Sequence, residues 1–323
     1  MAYGRYLRFL PAVRLNPRKT YWHRLMKKNT SPFIRLANKI LRNLKIKGAK
    51  VIGKSSMGNV FLQFNEDTPV ALKNEIVCIP KDFVIFESIS NSGSWELDSC
   101  VYLAEAFSSG KPSDLNANTL LDIGANSGMI TIQTARLASN PITAYCIEPL
   151  PLNLEALRAN MQMQTCLADY KIYPYALSQK DGIAQIYSEK VNIGNTSLFQ
   201  MDKFQDTFDT EITLRNTNEF IEKEFSDSAI IALKCDTQGS EIVILSNFPT
   251  SFWNQIVRGI IEIRSMANLV PRQISPILKC LEIYDDFFWG DDFGKKIDLD
   301  DIENFWLKGT GEERDLFFSK NNF

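Results

Sequence analysis

The chain has 323 residues, 45% hydrophobic and 23% charged, with a formal net charge of −2. Those fractions are of a soluble globular protein, and that length holds one large α/β domain with an appendage or two modest domains. No run reaches the roughly 18 consecutive apolar residues of a membrane span, and the apolar piece Phe9 to Val13 is too short for a signal-peptide core.

A cytoplasmic location is therefore expected. The small net charge hides a strong asymmetry. Fifteen Lys and Arg and no acid lie in residues 1–65, so 21 of the 36 basic residues share the rest of the chain with all 38 acids. Residues 1–31 are basic and aromatic, with Pro11 and Pro17 breaking any long helix. Ser31-Pro32 reads as an N-cap followed by Pro at the first helical position. From Phe33 to Leu44 apolar residues recur at 33, 36, 37, 40, 41 and 44 around Arg35, Lys39 and Arg42, a basic amphipathic helix. Gly48 to Ile89 reads as short strands broken by Gly58-Asn59, by 65–69 and by Pro80. Ser94 is expected to cap a helix from Trp95 to about Phe107. Three regions follow: a basic arm at 1–47, a small β-rich region at 48–93 and the main domain at 94–323.

From residue 119 onward strands and helices alternate, as a doubly wound, Rossmann-like, mostly parallel sheet requires. Strands are expected near 119–123, 142–147, 170–175, 230–235 and 258–263, and helices near 129–138, 151–163, 216–224, 240–247 and 272–281. Leu150, Leu154, Leu157 and Met161 share one stripe, read as core. Residues 183–188 and 210–214 read as extra strands. An antiparallel pair near 283–288 and 315–319 completes the sheet. Six cysteines are scattered without a Cys-x-x-Cys, and the single histidine, His23, lies outside the core. Buried reduced thiols are expected, and no metal site.

The segment from Leu120 to Gly128 carries the chemistry. An apolar strand ends in Asp122, a tight turn holds Gly124 and Gly128, and a helix follows. Both glycines allow positive φ and the close approach of a ligand. The next strand ends in Glu148-Pro149, an acid placed to accept hydrogen bonds from ribose hydroxyls. A pyrophosphate loop wants G-x-G-x-x-G and no acid at its mouth. Here the spacing is G-x-x-x-G behind a carboxylate, which repels phosphate and suits a cationic ligand with an amino group. S-adenosyl-L-methionine has a sulfonium, an ammonium and a ribose with two free hydroxyls.

At these residues the chain resembles a class I methyltransferase of the FkbM type. The resemblance rests on Asp122-Ile123-Gly124-Ala125-Asn126-Ser127-Gly128, on Glu148-Pro149, on the Asn- and Leu-containing helix from Asn153 to Asn160, on Ala176-Leu177-Ser178 with Gly182, on Thr196-Ser197-Leu198, on Lys234-Cys235-Asp236-Thr237-Gln238-Gly239-Ser240-Glu241, and on Ile261-Glu262. It covers about residues 90 to 270. Gln238 stands where that family has Glu. The resemblance implies S-adenosylmethionine as cofactor and O-methylation, commonly of sugar hydroxyls in glycans or of small natural products. Asp122 and the loop from Gly124 through Ala125, Asn126 and Ser127 to Gly128 should face the methionine end. Glu148, beside Pro149, should take the ribose diol, and Ala176 and Leu177 should flank the adenine.

An alcohol acceptor loses a proton during methyl transfer, and general-base help is typically worth about 10²–10⁴-fold. Without a core histidine the candidates are Asp236 first, then Glu241 and Glu262. For Asp236 a helix-capping role stays open. Lys234 is expected to point to the other face. Trp95, Phe199 and the aromatic tail are candidates for stacking on a sugar. The basic arm has three open readings: docking on the acidic body, tethering residues 1–47 peripherally at the anionic inner face of a membrane, or binding nucleic acid, for which no RNA-binding signature is present. Two other functions stay open, an RNA methyltransferase using that arm and a non-catalytic cofactor- or partner-binding module. The sequence leaves the oligomeric state undetermined.

Overall fold

A computed structural model describes residues 49–65, 72–80, 83–108, 118–189, 196–197, 207–225, 230–267 and 269–321. The basic arm, its amphipathic helix and Phe199 lie outside them.

Strands β1 (Ala49–Lys54), β2 (Val60–Phe64) and β3 (Ile76–Ile79) form a small antiparallel sheet in the order 1-2-3. The segment after Pro80 is not a fourth strand but helix α1 (Phe83–Ser92). Ile85 and Ile89, four apart, form its buried stripe, a helical spacing that the strand reading overlooked. Helix α2 (Leu97–Ala104) starts later than expected and ends in a 3₁₀ turn at Glu105–Phe107. Its N-cap is Glu96, not Ser94.

The main sheet has eight strands. They are β4 (Asn118–Ile123), β5 (Thr143–Ile147), β6 (Asp169–Tyr173), β11 (Ile230–Cys235), β12 (Ile256–Arg264), β13 (Asp286–Trp289), β14 (Asp292–Lys296) and β15 (Glu313–Ser319), in the spatial order 14-13-15-12-11-4-5-6. The run from β12 to β6 is parallel, and β15 is antiparallel to both its neighbours, β12 and β13. The expected tail pairing is present, Asp286 lying opposite Ser319. Strand β14 and helix α9 (Leu299–Leu307) between the two tail strands were not anticipated; Asp298 caps that helix by accepting from the Asp301 N–H at 2.9 Å. Chain order reverses between β4 and β11, the switch point at which open α/β sheets bind ligands. This is the doubly wound, mostly parallel, Rossmann-like sheet of the class I methyltransferase fold.

Alternate residues of the central strands face opposite layers. Leu121, Ile123, Leu233 and Ile261 pack into one core, and Leu120, Ala232 and Ile260 into another. Helices α3 (Met129–Leu137) and α4 (Pro151–Met163) follow β4 and β5. In α4, Leu154, Leu157 and Met161 form the expected buried stripe, each contributing about 1.5–3 kcal/mol by leaving water. Asn160, fully buried on α4, fastens the small sheet to the glycine loop: its Nδ2 donates to Ser127 O at 2.7 Å, and its Oδ1 accepts from the Cys78 N–H at 2.6 Å.

A third sheet stands over the switch point. Strands β7 (Ala176–Ser178), β8 (Gly182–Glu189), β9 (Thr196–Ser197) and β10 (Thr207–Asn216) run in the order 7-10-8-9, with β8 and β10 antiparallel. Helices α5 (Thr217–Glu224), α6 (Glu241–Leu245), α7 (Thr250–Gln255) and α8 (Pro271–Leu281) complete the layers. Among the described residues no helix is long and apolar enough to cross a membrane.

Candidate functional site

A cavity of about 410 Å³ opens at the carboxyl ends of β4, β5, β11 and β12. Asp122, Gly124, Ala125, Asn126, Ser127, Glu148, Pro149, Ala176, Leu177, Asp236 and Glu262 all line it. Two candidates do not. Glu241 turns back into its own loop, where it accepts from the Thr237 N–H at 2.6 Å, the Thr237 hydroxyl at 2.8 Å and the Gly239 N–H at 2.9 Å. It holds the turn before α6 and does not face the cavity. Gly128 faces α4.

The glycines do adopt positive φ, 82° at Gly124 and 76° at Gly128. The space they leave is filled by protein, not left for a ligand. A Cβ on Gly124 would lie 1.8 Å from the Asp236 carbonyl oxygen, and one on Gly128 would lie 2.5 Å from Met161 Cε. Gly124 therefore lets β4 and β11 close together at the switch point. Gly124→Ala should lower stability by at least about 2 kcal/mol, read as a fall in the thermal midpoint.

Each carboxyl is fixed by its own element. Asp122, next to last in β4, is almost wholly buried and accepts from the Thr131 hydroxyl of α3 at 2.5 Å. Burial pushes its carboxyl up to about 6. Glu148, just past β5, accepts from the Asn126 N–H at 2.9 Å with Oε2 and from the Leu150 N–H at 2.8 Å with Oε1. Burial raises it to about 7, against these hydrogen bonds. Asn153 adds a side-chain hydrogen bond, and because a carboxylate accepts about four in all, capacity for a ligand is left.

Lys234 corrects the sequence reading. Lys234 and Asp236 are two residues apart along β11 and its end, and strand side chains repeat every two residues, so both face the same way. The buried ammonium lines the cavity, 3.3 Å from Asp236 Oδ2 and 3.3 Å from Asp315 Oδ1. Those carboxylates hold it charged, well above the usual lysine range despite burial. Gln238, at φ 56°, donates from Nε2 to both Glu262 oxygens at 2.8 and 3.0 Å and lies 3.1 Å from Asp236 Oδ1. Burial, with the charge of Asp236 adding, raises Glu262 far above the carboxylate range. Of the two carboxyls, Asp236 is the one within ion-pair distance of Lys234.

Several lining residues carried no sequence signal of their own. Glu96 enters from the segment before α2, and Arg264 pairs with Glu313 across β12 and β15. Ile186 of β8 and Ile212 of β10 join Leu150 and Ala176 in an apolar wall. The motif named Ala176, but the hairpin that completes the wall shows only as alternation. Among the described stacking candidates Trp95 reaches the cavity, and Phe287 and Trp289 are buried in the core.

The electrostatics are one-sided. Glu96, Asp122, Glu148, Asp236, Glu262 and Glu313 face the cavity against two cations, Lys234 and Arg264. Three buried atoms on lining residues lack a hydrogen-bond partner, Asn126 Oδ1, Asn153 Oδ1 and Glu96 Oε2. All three are acceptors. A buried acceptor without a donor costs about 1–3 kcal/mol, so the cavity fits a ligand rich in N–H and O–H groups and positively charged.

No protein-family model matches the chain. It is 20% identical over 160 residues to "Methyltransferase 1" of Beauveria bassiana, an alignment covering 45% of this chain and 64% of that protein. The chain thus spans under two thirds of the length of this curated relative. Among solved structures it is similar to the methyltransferase FkbM from Methylobacillus flagellatus, at 12% identity and a TM-score of 0.37, over 72% of this chain and 60% of that one. It is also similar to precorrin-6y C5,15-methyltransferase from Geobacter metallireducens, at 9% identity and a TM-score of 0.32, over 69% of this chain and 87% of that one. The fold rests on the chain's own strand order, and the site on its own geometry.

Proposed function

We propose that this chain is an S-adenosylmethionine-dependent methyltransferase of the FkbM type that methylates a hydroxyl of a sugar, a glycan precursor or a related small molecule. The carrying observation is a switch-point cavity whose unsatisfied buried atoms are all acceptors and whose charge is acidic. Such a wall fits the ammonium, ribose hydroxyls and adenine amine of that cofactor and opposes a phosphate. The methyltransferase name of the fungal relative supports the reading.

Glu148 would hold the ribose, Asp122 the charged end, and the wall of Leu150, Ala176, Leu177, Ile186 and Ile212 the base. The cofactor supplies a methyl group already activated by a sulfonium. The chain's share is to hold the acceptor oxygen in line, which can provide much of the barrier reduction, and to take its proton. Asp236, which lines the cavity against Lys234 and Gln238, is our candidate to do so.

S-adenosylhomocysteine, the demethylated product, should bind with micromolar affinity and NAD should not, by calorimetry. Affinity should rise between about pH 5.5 and 7.5, because Asp122 at about 6 and Glu148 at about 7 shed protons and become better acceptors. The same shifts act oppositely on the free protein. Their contribution to stability is full below the ordinary values of 3.8 and 4.5 and is lost as pH rises through about 6 and 7. NAD binding with no response to S-adenosylhomocysteine would overturn the cofactor assignment.

A further inference from the structure

Glu96 reaches the cavity from a strained backbone. Its φ of 42° and ψ of 54° are left-handed, a conformation that glycine adopts freely and a long side chain seldom does. The segment is fastened on both sides. Fully buried Gln133 of α3 donates from Nε2 to Trp95 O at 2.6 Å and accepts from the Trp95 N–H at 3.0 Å. The Cys100 N–H of α2 donates to Glu96 O at 3.1 Å. Such strain persists where the surroundings over-determine it, commonly at ligand sites.

What this backbone positions is a carboxylate. Glu96 Oε2 is buried and accepts no hydrogen bond. Lys234 Nζ lies 3.7 Å away, beyond hydrogen-bonding range, and already has Asp236 and Asp315 at 3.3 Å. Burial pushes the Glu96 carboxyl up to about 6 against the pull of Lys234, with the charges of Asp236, Asp315 and Asp122 adding to the rise. Glu96 and Asp122 both line the cavity, near enough for the charge of Asp122 to act on Glu96, and apolar Ile85, Met129 and Ile130 line it with them. A neutral hydroxyl would give either acid one hydrogen bond. A cation with several N–H donors would satisfy both acids and relieve their repulsion.

We propose that Glu96 is a cofactor-binding residue whose carboxylate, together with Asp122, receives the ammonium of the methionyl moiety. This rests on the S-adenosylmethionine reading above. Glu96 thereby distinguishes ligands that carry the amino-acid end from those that do not.

The test compares two ligands on the full chain by calorimetry: S-adenosylhomocysteine and 5′-methylthioadenosine, which keeps the nucleoside and sulfur but lacks the amino acid. In Glu96→Gln, affinity for S-adenosylhomocysteine should fall at least about tenfold, while that for 5′-methylthioadenosine stays within about twofold. Glu96→Gly removes the strain with the carboxylate. It should keep or raise the thermal midpoint and still lose S-adenosylhomocysteine affinity by at least the same factor. Unchanged S-adenosylhomocysteine binding in both variants, or equal losses for the two ligands, would overturn the assignment. If the unaltered chain bound neither ligand, the cofactor reading itself would fall, and this assignment with it.

Discussion

Replacing Glu148 with Ala should weaken S-adenosylhomocysteine binding about a hundredfold, roughly 3 kcal/mol. Charge-assisted hydrogen bonds run about 1.5–3 kcal/mol each, and two from one carboxylate to neighbouring hydroxyls do not add fully. The structure supplies the reason for so large an effect. Both oxygens are already oriented by backbone donors, the N–H groups of Asn126 and Leu150. The carboxylate therefore pays little further ordering cost when a diol arrives. Because the same bonds steady the glycine loop, the thermal midpoint has to be measured alongside. The loss should extend to 5′-methylthioadenosine, which has the ribose, and so separate Glu148 from Glu96. Calorimetry showing unchanged binding of both ligands in Glu148→Ala would remove Glu148 from the site.

The placing of Asp122, the glycine loop and Glu148 around one cavity was legible because these elements are local. Asp122 and Gly124 lie two residues apart, and Glu148 directly follows the next strand, so one βαβ unit carries the motif. The central strands were legible for a related reason. A buried parallel strand such as Ile230–Cys235 reads as a nearly continuous apolar run with few competing interpretations. The cluster around Lys234 was not legible, because it is assembled across long separations. Lys234 meets Asp315 and Glu96 only after β15 inserts beside β12 and α2 folds against the sheet. Nothing near Glu96 marks a left-handed residue, since the turn is imposed by Gln133, 37 positions away. The error over Lys234 was of another kind: the two-residue period already placed it with Asp236. Glu241 failed as a candidate because a carboxylate three residues after Gln238 can satisfy the N–H groups of its own turn. Helix α1 was mistaken for a strand because a short apolar stretch after Pro80 fits either period.

Asp236→Asn should lower methyl transfer by at least about 10²-fold while changing cofactor affinity by less than about tenfold. The substitution keeps the side-chain shape and leaves untouched the main-chain carbonyl that packs against Gly124. What it removes is the charge. Asp236 and Glu262 share Gln238 Nε2, burial raises the Glu262 carboxyl, and Asp236 is the member set against the Lys234 ammonium. An Asn there could still orient a hydroxyl but could not take its proton. Lys234 would retain Asp315 at 3.3 Å, so the variant does not strand a buried ammonium. Glu262→Gln is the complementary variant: it removes the other carboxyl of the cluster while keeping its shape, and its effect on turnover should be at most about tenfold. Rates would be followed as S-adenosylhomocysteine release over a panel of sugars and small hydroxylated acceptors, with cofactor affinity measured on the same preparations. Full turnover in Asp236→Asn would take Asp236 out of the mechanism. A loss of affinity matching the loss of rate would make it a cofactor ligand, and a larger rate loss in Glu262→Gln would move the base to that residue.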